Sequence, residues 1–360
     1  MQAAHRARDC RCCGGSRAAL RSAVSLRRSS LAARLMPSLR VPLQELSLKF
    51  TLPSGQSFRW RKRAPSPDHK WDVWVGVIGQ NVVSLTQDEK AGLLHYDFLN
   101  RDFSTTSASG DRKRVKRGDE EAVIRDYFQL DTSLRDLYQE WRERDARFCS
   151  VADRFPGVRV LRQDPVENLF SFICSSCNNI KRISLMIEKM CRRYGRLLMH
   201  DEELGDMFSF PSTQSLADPD VERVLRSEGF GYRAAFIQKA AEMICREGMQ
   251  LDSLRERTHE EARSELMRLP GVGRKVADCI SLFSLDHCGS IPVDTHVYQI
   301  ASRHYLKHLS PAKKGGVTEK TYKEVCARLQ QLFGSHAGWA HSVLFTADLP
   351  LFRETPSPPD

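Results

Sequence analysis

Lys275 and Asp294 are the two side chains whose types and placement best suit covalent chemistry on a sugar. Lys275 lies in the first turn of a predicted helix, where the helix dipole and any burial disfavour a charged amine. A neutral amine can attack a sugar carbon and form a Schiff base. Cys279, one turn later on the same face, is a candidate partner for proton exchange or ion pairing with this lysine. A surface lysine that contacts phosphate remains the alternative.

Asp294 stands between the extended segment 291–293 and an apolar run that contains Val297 and Ile300. This placement predicts a helix N-cap whose carboxylate is held by backbone N–H groups. A fixed anion of this kind can stabilise the oxocarbenium ion that develops when a sugar loses its base. A cap without a chemical role is the alternative.

The segment before Lys275 is a glycine-rich hairpin between two predicted helices. Pro270 and Gly271 end the first helix, and Val276 begins the core face of the second. Gly271 and Gly273 lack a Cβ, so a DNA backbone can come close, and free N–H groups at the helix start can bind a phosphate. Such a device positions DNA without reading a base. An ordinary helix–helix corner with glycine at its C-cap is the alternative.

The elements that must position these residues change character along the chain. Residues 46–105 favour strands, with 71–78 and 82–86 flanking a turn at 79–81. The links are too short for crossover helices, so the sheet is antiparallel. From about residue 121 to 348, apolar residues recur at helical spacing without strand-like alternation. The sequence therefore predicts an α+β fold, an N-terminal antiparallel sheet packed on a helical core.

The net charge of +10 is concentrated in residues 1–45, which hold nine arginines and only two acidic residues. The remaining excess is mild, so charge alone does not establish nucleic-acid binding. The leader has the Arg-, Ser- and Ala-rich composition of a mitochondrial targeting segment, with a basic tail or a second start at Met36 as alternatives. The basic cluster 112–117 is either a nuclear-import signal or, as we prefer, a solvated loop. No apolar run approaches the roughly 18 residues of a membrane span.

The eleven cysteines are scattered, which favours reduced thiols in an intracellular compartment. No four-cysteine array of iron–sulfur spacing follows Cys288, because Cys326 is the only later cysteine. Cys174 and Cys177 form a C-x-x-C pair without a second pair at zinc spacing. We therefore expect no metal and no cofactor.

Several segments, in order, carry a resemblance to a known family. LPGVGRKVADCI (269–280) followed by PVDTHV (292–297) resembles the helix–hairpin–helix DNA glycosylase superfamily, and more narrowly the eukaryotic 8-oxoguanine DNA glycosylase/AP lyases. The other matching segments are LPSGQSFRW (52–60), RQDPVENLFSFICSSCNNIKRI (162–183), GFGYRAAF (229–236) and AGWAHSVLFTADL (337–349). The resemblance extends from about residue 46 to residue 349.

The resemblance implies a bifunctional enzyme of base excision repair. It would flip 8-oxoguanine out of duplex DNA, opposite cytosine, and excise it. Lys275 would attack C1′ and expel the base, Asp294 would support that step, and the resulting Schiff base would permit β-elimination. The implied partner is double-stranded DNA with an oxidised guanine opposite cytosine, bound by a monomer away from membranes and followed by other repair proteins. The implied location is the nucleus, the mitochondrion or both.

The same resemblance implies roles around the flipped base. Gly55 would offer its carbonyl to the N7–H of the oxidised base, where normal guanine has an acceptor. Cys279 and Phe345 would sandwich the base. His296 and Asp348 would lie near the 5′ phosphate and orient the pocket.

On the duplex side, the resemblance implies that Tyr232 wedges into the space the base has left. Arg182 and Arg233 would hold the orphaned cytosine, with Asn178 beside them. Two positions depart from the family pattern. Cys177 replaces an asparagine that fills the gap opposite cytosine, and His341 replaces a glutamine that faces the Watson–Crick edge of the lesion. A neutral histidine offers one donor and one acceptor, so we expect activity with altered, pH-dependent recognition of the base.

We expect a basic leader at 1–45, a sheet domain at 46–155, a helical glycosylase domain at 156–349 with its hairpin motif at about 262–285, and a disordered tail at 350–360. The missing four-cysteine cluster argues against an endonuclease III-like pyrimidine glycosylase. The presence of Lys275 argues against an adenine glycosylase. A non-catalytic or monofunctional helix–hairpin–helix protein that binds damaged DNA is the remaining alternative, and the pairing of Lys275 with Asp294 argues against it.

Overall fold

The computed structural model describes residues 36–64, 70–100, 118–309 and 317–353. The predicted leader up to residue 35, the basic cluster 112–117 and residues 354–360 lie outside the described residues. The chain divides into Met1–Pro37, nearly all of it outside this description, and Ser38–Asp360, which contains every element described below.

An antiparallel sheet of five strands, in the order β1-β5-β4-β3-β2, forms the N-terminal part, as predicted. The strands are β1 Ser38–Arg40, β2 Arg61–Lys62, β3 Val73–Ile78, β4 Asn81–Asp88 and β5 Leu93–Phe98. A two-residue turn joins β3 to β4, and Gly79 takes a φ of 60° there, which only glycine adopts without strain. The sheet begins at Ser38, inside the segment expected to be leader, because Leu39 and Val41 are buried against it.

Both faces of the sheet are covered, so nearly every residue of β4 is buried. Its side chains do not alternate between buried and exposed. One face packs on the chain after β1 and on a helix, through Leu46, Leu52 and Phe128. The other face packs on a hairpin of two further strands, β6 Leu197–Asp201 and β7 Gly205–Phe208. The expectation that no strands occur after residue 121 was therefore wrong.

The rest of the described chain is helical. The helices are α1 Leu48–Thr51, α2 Glu120–Tyr127, α3 Leu134–Arg144, α4 Ala146–Ala152, α5 Pro165–Ile173, α6 Ile180–Tyr194, α7 Thr213–Leu216, α8 Val221–Ser227, α9 Arg233–Glu247, α10 His259–Leu266, α11 Arg274–Ser284, α12 Thr295–His304, α13 Glu319–Phe333 and α14 Ala337–Asp348. The central pair is α5 and α11, whose Phe172 and Phe283 rings stack with centroids 5.7 Å apart. Asp164 caps α5 by accepting the N–H groups of two first-turn residues.

Arg159 joins the sheet to the helices, and its side chain is fully buried. Its guanidinium donates to the carboxylate and carbonyl of Glu45 and to the carbonyls of Phe128, Gln129 and Thr132. Burial lowers the pKa of Arg159 to about 10, against the opposing effect of Glu45. Every donor of the buried Arg159 guanidinium is used, which stabilises one geometry of the segments that it joins. Removing a single partner would leave buried charge unpaired.

Residues 350–352, which were expected to belong to the disordered tail, pack against the core. Pro350–Phe352 form a short 3₁₀ helix, and the ring of Phe352 lies 5.5 Å from that of Phe50 and 6.2 Å from that of Phe155. Within the described ranges, no helix combines the length and apolar character needed to cross a membrane.

Candidate active site

An open cavity of about 490 Å³ lies between the sheet-side loop before β2, the α5–α11 pair and α14. Its lining residues are Ser54, Gly55, Gln56, Phe172, Lys275, Cys279, Phe283, Pro292, Asp294, Val297, His341, Ser342, Phe345 and Thr346. Six of the predicted site residues, drawn from four separate parts of the chain, therefore meet in one place.

Lys275 is the second residue of α11 and is partly buried at the cavity wall. Its Nζ donates a 3.2 Å hydrogen bond to Oγ of Ser175, and it lies 5.1 Å from the centroid of the Phe172 ring. The Ser175 hydroxyl donates its own proton to the carbonyl of Phe172, at 2.7 Å. The lone pairs of its oxygen can therefore accept the hydrogen bond from the lysine. The amine is thereby held at a fixed position on the cavity wall.

Asp294 is the N-cap of α12, as predicted. Its Oδ1 accepts the backbone N–H of Val297 at 2.9 Å. A carboxylate held this way cannot swing away from the cavity without losing the cap, which is typically worth about 1 kcal/mol. The arrangement places a fixed anion on the cavity wall that also carries Lys275.

Cys279 is 2% exposed and faces the same cavity one turn after Lys275. Burial raises the pKa of its thiol to about 12, although the nearby lysine acts in the opposite direction. The thiol is therefore neutral at physiological pH. The raised pKa favours the neutral thiol, and Lys275 is close enough to share a hydrogen bond with it.

His341 is buried on α14, at 6% exposure, and neither ring nitrogen makes a hydrogen bond to a described residue. Burial lowers its pKa to about 4, against a smaller opposing effect of Asp294. Its ring lies 6.1 Å from that of Phe345, one turn further along the helix. The cavity thus presents a neutral imidazole with an unused donor and an unused acceptor beside an aromatic face.

Gly55 contributes backbone to the cavity and has a φ of 87°, where other residues are strained. A Cβ at this position would lie 2.9 Å from Cδ1 of Ile180. The next residue, Gln56, is 3% exposed, and its amide bridges the carbonyl of Arg159 and the N–H of Leu161, each at 2.9 Å. These bonds fix the Gly55 backbone relative to the helical core.

Two predicted pocket residues lie outside the cavity lining. His296 is exposed at the start of α12, with its ring edge-on to that of Phe345 at 6.3 Å. Asp348 is the last residue of α14 and accepts a 3.0 Å hydrogen bond from Arg303. Neither side chain contributes to the lining of the cavity.

The hairpin before Lys275 ends in Gly273, the N-cap of α11. Gly273 is exposed and has no heavy atom within 4 Å of the position that a Cβ would occupy. The first N–H groups of a helix have no intrahelical acceptors, so they are free to bind an anion. Gly271 differs, since it has a φ of 84° and its backbone packs on the side chain of Phe236.

Tyr232 and Arg233, at the start of α9, have unequal exposure. Tyr232 is 46% exposed, and its hydroxyl donates to the carbonyl of Ser176 at 3.3 Å. Arg233 is 4% exposed, and its guanidinium donates to the carbonyls of Ser176 and Cys177 while lying 4.6 Å from the Tyr232 ring. In this state Tyr232 is available to a duplex, whereas Arg233 holds the turn after α5.

The remaining predicted DNA contacts lie on that turn and at the start of α6. Arg182 is exposed and donates to the carbonyl of Gly229 at 3.4 Å. Asn178 uses its amide on the carbonyl of Cys174 at 3.0 Å, so its side chain stabilises the turn. Cys177 is exposed with a φ of 48°, a left-handed conformation in which asparagine is much more common than cysteine.

Sequence reasoning did not single out Ser175, Phe172 or Gln56. Each acts through a contact between distant parts of the chain, such as the bond from Lys275 to Ser175 across 100 positions. The only sequence signal was their presence in segments that resemble the glycosylases. Over the described ranges, no cluster of three or more His, Cys, Asp or Glu side chains could hold a metal ion.

Two protein-family models match consecutive stretches of the chain. The 8-oxoguanine DNA glycosylase N-terminal domain matches residues 38–169, and the HhH-GPD superfamily of base excision DNA repair proteins matches residues 170–331. The first match begins at the residue where β1 begins.

Curated relatives match over most of their length. The N-glycosylase/DNA lyase OGG1 of Arabidopsis thaliana is 37% identical over 87% of this chain and 80% of its own. The N-glycosylase/DNA lyase of Saccharomyces cerevisiae is 33% identical over 86% and 85%. Among solved structures, MBOgg1 with a low-affinity DNA ligand superposes with a TM-score of 0.71, at 27% identity over 86% and 93% of the two chains. The Clostridium acetobutylicum 8-oxoguanine glycosylase/lyase, bound to DNA with cytosine opposite 8-oxoG, gives 0.68 at 25% identity over 84% and 91%.

Proposed function

The chain belongs to the eukaryotic 8-oxoguanine DNA glycosylase/lyase family, and we propose that the cavity around Lys275 receives the oxidised guanine and carries out its excision. The protein is a DNA N-glycosylase with AP lyase activity and acts on double-stranded DNA. The alternative of a non-catalytic binding protein has no support in the site, because both residues that the chemistry needs are present.

The observation that carries this assignment is the convergence of Lys275 and Asp294 on one cavity. The lysine amine is oriented by Ser175, and the aspartate is fixed by the first turn of α12. Neither residue would suggest glycosylase chemistry by itself. Together on one wall they supply a nucleophile and a fixed anion at the same reacting sugar.

The reaction proceeds in two stages. The amine of Lys275 attacks C1′, the bond from C1′ to the base nitrogen breaks, and the base departs with the bonding electrons and takes up the proton that the amine releases. Asp294 stabilises the positive charge that develops on the sugar. Opening of the sugar ring then gives a Schiff base between Lys275 and C1′, and loss of a C2′ proton expels the 3′ phosphate by β-elimination.

Recognition of the base follows from the other cavity walls. Phe345 and the neutral thiol of Cys279 lie against the two faces of the flipped base. The Gly55 carbonyl accepts the N7–H that guanine lacks, so the undamaged base would leave two acceptors facing each other. The unpaired nitrogens of His341 meet the Watson–Crick edge of the base.

The DNA outside the cavity is held by the turn after α5, the start of α9 and the hairpin. Tyr232 enters the stack where the base was, and Arg182, Arg233 and Asn178 face the orphaned cytosine. Contact with cytosine requires Arg233 and Asn178 to exchange some of the backbone carbonyls they now bind. Gly273 lets a phosphate reach the N-terminus of α11, while His296 and Asp348 face the 5′ phosphate.

We further propose that the protein acts as a monomer and hands a nicked product to downstream repair enzymes. Light scattering should then give the mass of one 41.0 kDa chain both free and bound to a short duplex. The leader supports a mitochondrial location, and the basic cluster 112–117 supports a nuclear one. C-terminally tagged proteins starting at Met1 and at Met36 test this, since only the longer one should enter mitochondria.

Borohydride trapping tests the enzymatic assignment directly. A duplex with one 8-oxoguanine opposite cytosine is incubated with the protein, and borohydride reduces any Schiff base to a stable adduct. We expect an adduct with the wild type that is lost in Lys275→Gln. Lys90→Gln, at an exposed turn of the sheet far from the cavity residues in sequence, is the matched control and should react like the wild type.

The undamaged duplex should give no adduct with any of the three proteins. Tight binding to the lesion without an adduct in the wild type would replace this assignment with the non-catalytic or monofunctional one. An adduct that persists in Lys275→Gln would assign the nucleophile to another amine.

A further inference from the structure

Tyr322 on α13 is buried, at 5% exposure, and its hydroxyl lies between the two segments that carry the reactive residues. The hydroxyl donates to Oδ2 of Asp278 at 2.5 Å, with the carbonyl of Ile291 as a second acceptor at 3.2 Å, and it accepts the backbone N–H of Val293 at 3.2 Å. Asp278 follows Lys275 by one turn of α11, and Val293 directly precedes Asp294. A single oxygen atom thus joins the helix of the nucleophile to the loop of the carboxylate.

The Tyr322 ring contacts the same helix at a second point. The guanidinium of Arg274, directly before Lys275, lies 5.3 Å from the ring centroid and pairs with Glu319, one turn before Tyr322 on α13. The tyrosine therefore touches α11 on both sides of Lys275 in sequence. Such contacts fix both the position and the rotation of that first turn.

The Tyr322 hydroxyl is protonated near neutral pH. Burial, and then the adjacent Asp278 carboxylate, raise the pKa of Tyr322 well above its usual value. The Asp278 carboxylate is 1% exposed, and its other oxygen accepts from His259 at 2.8 Å and from Ser290 at 3.3 Å. Arg263 lies 3.7 Å from that oxygen. The Asp278 carboxylate is therefore held by several partners, so the Tyr322 hydroxyl is bonded to a rigid group.

We propose that Tyr322 is a positioning residue that sets the separation of Lys275 from Asp294 through its bonds to Asp278 and Val293. The inference rests on the proposed function, because the separation matters only if both residues act on one sugar. A displacement of about 1 Å between reacting groups can cost on the order of a hundredfold in rate. Loss of the hydroxyl should therefore slow the chemical step and leave the DNA-binding surface intact.

Tyr322→Phe is the test variant, and the chain offers a matched control in Tyr138→Phe. Tyr138 is 6% exposed, and its buried hydroxyl also donates to a carbonyl, that of Phe155 at 2.9 Å, and accepts a backbone N–H, that of Val158 at 3.3 Å. It lies on α3, and neither bond involves the segments of Lys275 or Asp294. Both variants lose the same chemical group from a buried site.

Single-turnover excision with protein in excess separates the chemical step from binding. We expect Tyr322→Phe to lower the maximal rate at least about tenfold, as for a misplaced reacting group. Its half-saturating protein concentration should stay unchanged, and the rate of borohydride-trapped adduct formation should fall in parallel. Tyr138→Phe should keep the wild-type rate at temperatures where thermal melts show both variants folded.

A Tyr322→Phe protein that is folded and excises at the rate of Tyr138→Phe would overturn the inference. Equal slowing of both variants would also overturn it, since the effect would then follow from the loss of any buried hydroxyl. If Tyr322→Phe does not fold, Asp278→Asn, which keeps the size of the side chain but weakens the bond that the Tyr322 hydroxyl donates, must slow the trapping step with unchanged binding. Absence of any adduct in the wild type would instead refute the proposed function.

Discussion

The backbone of Gly271 packs directly on the side chain of Phe236, so that an added Cβ would lie 2.7 Å from Cβ of the phenylalanine. Phe236 is on α9, one turn after Tyr232, and the two rings meet nearly edge to face with centroids 5.8 Å apart. The hairpin for which we propose phosphate binding is thus in contact, through one aromatic ring, with Tyr232, which we propose enters the duplex. The two glycines of the hairpin therefore have different tasks.

Replacing each hairpin glycine by alanine should separate these tasks. Gly271→Ala combines a φ of 84° with the clash against Phe236 and should lower the free energy of unfolding by about 1–3 kcal/mol. Gly273→Ala has open space and a φ of −91°, so its unfolding should be nearly unchanged while its affinity for duplex DNA falls. Urea melts and fluorescence anisotropy measure the two quantities. The reverse pattern would refute this division of roles.

Cys177→Asn should stabilise the turn after α5. The residue has a φ of 48°, a conformation that asparagine tolerates better than cysteine because its side chain can hydrogen-bond locally. We expect a gain below about 1 kcal/mol in the free energy of unfolding. Asparagine also offers donors that cysteine lacks, so binding to duplexes with cytosine opposite the lesion should tighten. A lower melting temperature for Cys177→Asn would contradict the first expectation, and unchanged affinity the second.

Features that depend on neighbouring residues could be predicted from the sequence, and features that depend on distant residues could not. The helix starts at Lys275 and Asp294 were predictable because glycine, proline and capping residues act on their immediate neighbours. The hydrogen bonds of Lys275 with Ser175 and of Tyr322 with Asp278 were not, because they join segments that only the tertiary fold brings together. Spacing along one helix predicted that Cys279 lies near Lys275, but the burial that raises the pKa of its thiol cannot be seen in the sequence.

The strands followed the same rule. β3 and β4 could be predicted from the β-branched residues on either side of a glycine turn. The hairpin of β6 and β7 did not, because a register shift between Leu197 and Met199 interrupts the alternation that marks a half-buried strand. β1 has three residues, too few to show a period, and it pairs with β5 only once the sheet exists.

The buried imidazole of His341 should make stability depend on pH. Its pKa is about 4 in the folded protein and about 6.5 in the unfolded chain, so between these values only the unfolded chain takes up the proton. This contribution to stability is present in full above pH 6.5 and is lost as the pH falls toward 4. At pH 5 the loss should reach about 1–2 kcal/mol relative to pH 7. His341→Gln should remove that part of the pH dependence, and urea melts of both proteins at the two pH values measure it.

His341→Gln should also change recognition of the base while excision is retained. The neutral imidazole offers one donor and one acceptor, whereas a glutamine amide offers two N–H donors and a carbonyl acceptor. We therefore expect a shifted ratio of single-turnover rates between 8-oxoguanine and other oxidised purines in matched duplexes. Identical ratios for the two proteins would mean that this side chain does not contact the base.

Asp294 allows the cap to be separated from the catalytic anion. Asp294→Asn keeps a side-chain oxygen for the N–H of Val297, so its stability should match that of the wild type. Its excision rate should fall by about 10²–10³-fold, the scale for loss of one fixed electrostatic group at a transition state. Asp294→Ala should lose the rate equally and about 1 kcal/mol of stability in addition. Thermal melts and single-turnover excision on the 8-oxoguanine duplex distinguish these outcomes. If Asp294→Asn kept its excision rate while Asp294→Ala lost both rate and stability, the carboxylate would be a cap whose effect on catalysis is indirect, and the developing positive charge would have to be stabilised by another group.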